Sequence, residues 1–203
     1  MSNRRTNSVR SLSNLYTVII GVAISLSAVQ MVNRESGIQA IPLSEYLLFF
    51  AFIITLVPFY HGALRHLDDA YLENPNPQIR NGALIVDILL LIAHGMVFVV
   101  LALLLDKPSE FAWILLGLIA IDVIWGAFVY FGASTQGPGG AEGKWALINF
   151  IFVLLSAVML IILNITFQSD VDATKMSFSV LVACLIRTLV DYIACWDFYF
   201  PND

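Results

Sequence analysis

Six stretches of this chain are each long enough to cross a lipid bilayer and nearly free of charge, which restricts the fold more than any motif does. A membrane-spanning helix needs about 20 consecutive apolar residues. The blocks run roughly over 15–32, 43–64, 83–105, 111–131, 145–167 and 177–200. Hydrocarbon offers no partner to a backbone N–H or C=O, so a segment of this length crosses it as a helix that satisfies its own polar groups. The chain is 59% hydrophobic and 12% charged, whereas a soluble domain carries about 25% charged residues. It is therefore read as all-α: one polytopic integral membrane domain over residues 1–203, a bundle of six transmembrane helices joined by short loops. Its surroundings are the lipid bilayer. No basic stripe or RNA-binding motif appears, so no nucleic-acid partner is expected.

Arg4, Arg5 and Arg10 ahead of the first block resemble the charged start of a cleaved signal peptide. The segment before the block is long for that role, however. Gly21, Ser25 and Ala28 also recur at the spacing that lets helices pack closely in lipid, within the molecule or between copies of it. The block is read as the first helix. Orientation follows from the cations beside the spans. Arg4, Arg5, Arg10, Arg65, Arg80 and Lys144 fall on one side, and Arg34, Lys107 and Lys175 on the other. This asymmetry predicts both termini in the cytoplasm, in a plasma or bacterial inner membrane.

The two cysteines, Cys184 and Cys195, share the sixth span. Eleven helical residues separate them by roughly 16 Å, and a disulfide needs Cα atoms within about 7 Å. They are read as small buried hydrophobes. The loop RHLDDAYLENPNPQIRN (65–81) continues the second span before the prolines at 75 and 77 stop it. GASTQGPGGAEGK (132–144) carries five glycines; Gly137, Gly139 and Gly140 make it a hinge or gate. Pro58, inside the second span, removes one helical hydrogen bond and is the other expected point of movement.

The chemistry lies in the charges that remain inside the spans. Arg187, Asp122 and His94 fall ten or eleven residues into the sixth, fourth and third spans, which at about 1.5 Å per residue puts all three near the bilayer midplane. A charge there costs about 2.5–3.5 kcal/mol even on lenient scales. Toward the cytoplasmic side lie Asp191, one turn from Arg187, and Asp87, two turns from His94. Asn149 and His61 lie at comparable depth. Three aspartates face one certain cation, so Arg187, by pairing with Asp122 or Asp191, leaves at least one carboxylate in need of a proton, a protonated His94 or a bound cation.

Two functions fit this surplus. One is a small channel or transporter moving a proton, small cation or small polar solute through a net-acidic centre. The other is a membrane-embedded sensor or interaction subunit, as a homo-oligomer or with another membrane protein, whose charges only lock helices together. A small intramembrane enzyme is third, since no H-E-x-x-H, G-x-S-x-G or phosphate loop occurs. His66, five residues from His61, lies about 140° away from it around a regular helix and is read, with Arg65, as an exposed interfacial polar residue. Haem needs axial ligands at facing positions. His94 and His61 differ in depth, so no cofactor is expected, with haem on one of them the single exception left open. Trp113, Trp145, Trp196, Tyr46 and Tyr199 lie near span ends, as interfacial anchors do.

Overall fold

The computed structural model describes residues 3–32, 41–73, 81–132, 141–167 and 172–201. Those residues are helical almost throughout. In order they form α1 (Asn3–Val32), α2 (Leu43–Asp68), a wider π-helical turn (Asp69–Glu73), α3 (Asn81–Leu103), α4 (Pro108–Gly132), α5 (Ala141–Phe167), α6 (Ala173–Ala194) and the single-turn α7 (Trp196–Tyr199). Six of these helices are long and apolar enough to cross a membrane, as the apolar blocks predict. The second span does continue past Arg65, as far as Glu73. The prolines beyond it, and Gly137, Gly139 and Gly140, lie outside the described residues.

The sixth span corrects the sequence reading. It does not run unbroken to residue 200: α6 stops at Ala194, and the chain turns at Cys195 before α7. The reason is visible in one hydrogen bond, from Tyr199 Oη to Asp191 Oδ2 at 2.8 Å. Residues eight apart stand about 12 Å apart along a straight helix, so this contact requires the chain to fold back. At its other end α6 is capped by Asp172, whose carboxylate accepts from the Thr174 N–H at 2.9 Å.

The most extensive pairings are α2 with α6, α4 with α5, and α1 with α3, and α2 also touches α1, α3 and α4. α2 is accordingly the most enclosed span and α5 the least. The outer surface is apolar: Ile193 is 75% and Ile124 70% exposed, the pattern of side chains that face lipid. Gly21, Ser25 and Ala28 also face outward, and a Cβ built on Gly21 meets nothing. The close approach of α1 lies elsewhere, at Gly95 of α3, where a Cβ would come within 2.6 Å of Ile19 Cγ2.

Pro58 illustrates how the helices are joined. Lacking an N–H, it leaves the carbonyl four residues earlier, on Ile54, without its helical donor. Thr188 of α6 supplies one, its hydroxyl donating to Ile54 O at 3.2 Å. The proline that the sequence suggests as a hinge is thus also a docking point between α2 and α6.

The two ends of the bundle differ. The ends of α2, α4 and α6 meet the starts of α3 and α5: Trp125 bonds Asp87, Lys144 bonds the Ala194 carbonyl, and Arg65 bonds the Phe198 carbonyl. This terminal half holds Asp87, His94, Asn149, Arg187 and Asp191, all buried. Beyond them, toward the far end, comes a layer of Leu48, Phe52, Phe98, Leu101 and Leu118, none exposed at all.

Candidate polar site

A cavity of about 40 Å³ lies in the terminal half, and Asp87, His94, Asp122, Arg187 and Asp191 all line it. The residues that the sequence places at one depth are therefore brought to one space. How they are held differs from the sequence reading.

Arg187 pairs with neither Asp122 nor Asp191; among the described residues it makes no ion pair within 4 Å. Its Nε donates to Asn149 Oδ1 at 2.7 Å, and Asn149 Nδ2 in turn donates to Asp122 Oδ2. Asn149, a neutral amide, relays between cation and carboxylate. It can do so because an amide carries a donor and an acceptor on one carbon. The guanidinium also lies over the Phe59 ring, 4.7 Å from its centroid, where the negative face of the ring attracts a cation. The opposing edge of that environment is His94, set perpendicular to Phe59 at 5.6 Å.

Asp87 is held by three donors: Tyr71 Oη at 2.5 Å, Trp125 Nε1 at 3.1 Å and His66 Nε2 at 3.3 Å. His66 is thus not an exposed interfacial residue. It is 6% exposed, covered by Trp125 at 4.7 Å between ring centroids. The π-helical turn carries Tyr71 onto the same carboxylate, and neither contact follows from the regular helical spacing of the sequence.

His61 goes elsewhere. It is partly buried against Tyr192, Tyr199 and Phe200 and does not line the cavity. It therefore forms no axial pair with His94. Among the described residues no three His, Cys, Asp or Glu side chains stand close enough to share a metal ion.

Trp145 and Tyr199 are corrections of another kind. Both are buried, at 7% and 3% exposure, and both line the cavity rather than anchoring the interface. Trp196, at 57%, and Trp113, at 42%, are outward as anchors should be. Gly62 admits this packing, since a Cβ there would approach Trp145 Cζ2 to 3.0 Å and Tyr199 Oη to 3.4 Å. Burial, and then the Asp191 carboxylate beside it, push the Tyr199 phenol well above its ordinary ionisation range. It remains a donor at neutral pH.

The Trp145 indole Nε1, the donor beside the Asp191 carboxylate, completes no hydrogen bond at this cavity, and neither do His94 Nε2, Arg187 Nη1 and Asp191 Oδ1. The last three residues are 3%, 4% and 3% exposed. Leaving such a group unmade costs about 1–3 kcal/mol, more when it is charged. A second cavity of about 30 Å³, lined mainly by apolar residues of α4, α5 and α6, including Cys184, shares Arg187 with the first. Both cysteines are buried and unlinked. No protein-family model, curated protein or solved structure matches this chain.

Proposed function

We propose that this protein is a small membrane channel or transporter, moving a proton, small cation or small polar solute through its charged centre. The observation that carries this reading is the set of unengaged atoms: Arg187 Nη1, Asp191 Oδ1 and His94 Nε2 face one cavity, each nine-tenths buried or more. A network that only locks helices together gains by closing its hydrogen bonds. One that receives a ligand keeps some of them open. The excess of Lys and Arg on the terminal side supports a cytoplasmic position for that half.

The second reading, a sensor or interaction subunit, has its own support in the apolar layer from Leu48 to Leu118. That layer divides the polar centre from the far end, so transport requires it to open or hydrate during the cycle. Flux into proteoliposomes separates the two. Wild type should pass at least one of H⁺, Na⁺, K⁺ or a small neutral solute. Asp122→Asn and Arg187→Met should lose that flux while still eluting as folded protein in detergent. A wild type that passes nothing, with variants that merely unfold, would leave the structural reading.

A further inference from the structure

Resting on the transport reading, we infer that the species handled at the polar centre is the proton, carried on water and on Asp191, rather than a metal cation or an organic solute. Three features of the cavity carry this.

The first is size. About 40 Å³ has room for roughly three water molecules, at about 10–15 Å³ each on this measure.

The second is the chemistry of the wall. A bare cation needs a shell of oxygen ligands, as the hard cations show. Here the carboxylate oxygens are largely taken. Asp87 receives Tyr71, Trp125 and His66; one oxygen of Asp191 receives Tyr199; one oxygen of Asp122 receives Asn149. The guanidinium of Arg187 occupies the same wall and opposes a second cation. An anion meets three carboxylates against that one guanidinium. Water suits this wall, because it can accept from an unengaged donor, Arg187 Nη1, and donate to an unengaged acceptor, Asp191 Oδ1.

The third is the placement of Asp191. Its Oδ2 is fixed by Tyr199, while its Oδ1 completes no hydrogen bond, the Trp145 indole being the donor nearest to doing so. That oxygen can take a proton from a hydronium ion among the waters, forming one O–H bond as another breaks and leaving neutral water, and can return it by the reverse step. The charged and titratable groups around it are Arg187 on its own helix, His94 and Asp87 on α3, Asp122 on α4, His66 on α2, and Tyr199 at the end of α7. Arg187 is the one permanently cationic side chain among them. It also lines the second cavity, so a turn of its side chain toward that space would change the charge that Asp191 faces.

The test uses proteoliposomes of the full chain, an internal pH dye, and a K⁺ diffusion potential. Na⁺ and K⁺ uptake and osmotic uptake of glycerol are read in parallel. Wild type should acidify or alkalinise the lumen with the sign of the potential and pass neither cation nor glycerol. Asp191→Asn, which keeps an acceptor for Tyr199, should lower the pH response at least tenfold. Asp191→Glu should recover part of it, and Asp106→Asn, an exposed loop substitution, should leave it unchanged. Elution in detergent checks that each variant is folded; if Asp191→Asn unfolds, the wild-type ion panel and Asp191→Glu still decide. Cation or glycerol flux without a pH response overturns the proton assignment and leaves transport standing. A pH response equal in Asp191→Asn and wild type overturns it as well. No flux of any species overturns both.

Discussion

Two corners of one cavity hold aspartates of the same type in opposite condition. At the α2–α3–α4 corner, Asp87 is closed in by Tyr71, Trp125 and His66. At the α5–α6 corner, Asp191 has one completed hydrogen bond, from Tyr199; the Trp145 indole stands beside the carboxylate without completing a second, and Arg187 a turn away also has a nitrogen unengaged. Both carboxylates are buried, at 6% and 3% exposure, so burial does not distinguish them. What distinguishes them is completion. A buried carboxylate with a full set of donors holds its helices together, and one left half-made has capacity for something else.

Breaking the closed corner should have the largest effect on stability. Asp87→Ala leaves an indole, a phenol and an imidazole without their common acceptor, and should cost about 3–5 kcal/mol, as removal of one partner from a buried polar pair does. Unfolding by SDS titration in detergent, followed by tryptophan fluorescence, would measure it; a loss under about 1 kcal/mol would erase the contrast between the corners. Next comes the relay. Asn149→Leu strands both the Arg187 Nε and the Asp122 carboxylate, and about 2–4 kcal/mol is expected on the same assay. Asn149→Gln should not restore it fully, because a longer amide cannot reach both groups from the same backbone.

Gly95→Ala tests the packing outside either corner. The added methyl meets a stiff β-branched side chain at 2.6 Å, so about 1–3 kcal/mol should be lost. Combining it with Ile19→Ala should return much of that loss, which a double-variant cycle reads directly. The smallest effect belongs to Thr188→Val, which removes the donor to the Ile54 carbonyl beside Pro58. About 0.5–1.5 kcal/mol is expected, with hydrogen exchange at α2 rising around residue 58.

The spans were legible because lipid imposes a length and a polarity that few other folds satisfy, and no side-chain detail is needed to see them. Asp87, His94, Asp122, Arg187 and Asp191 were legible for a related reason: a charge inside an apolar run is costly enough to stand out by depth alone. Depth also singled out Asn149, though not its role as a relay, since sequence gives height along a helix but not which side chain turns toward which. His66 was hidden by the opposite assumption. Five residues from His61 on a regular helix, it reads as an outlying polar group; its burial comes from α3 and α4 closing over the end of α2, and from the π-helical turn that brings Tyr71 beside it. Trp145 and Tyr199 were hidden by their position near span ends, where aromatic residues ordinarily mark the interface. The break at Cys195 carries no glycine or proline of its own and is set by the Tyr199–Asp191 contact.

The most direct measurement sets the two aspartates side by side, comparing Asp191→Asn with Asp87→Asn for unfolding in detergent and for lumenal pH change in proteoliposomes. Asp191→Asn keeps an acceptor for Tyr199 and should lose less stability than Asp87→Asn, which disturbs three donors at once, and it should lose the pH response. Asp87→Asn should fall in stability first. If Asp191→Asn is instead the less stable of the two and moves protons as wild type does, the half-made corner is structural and the account is wrong.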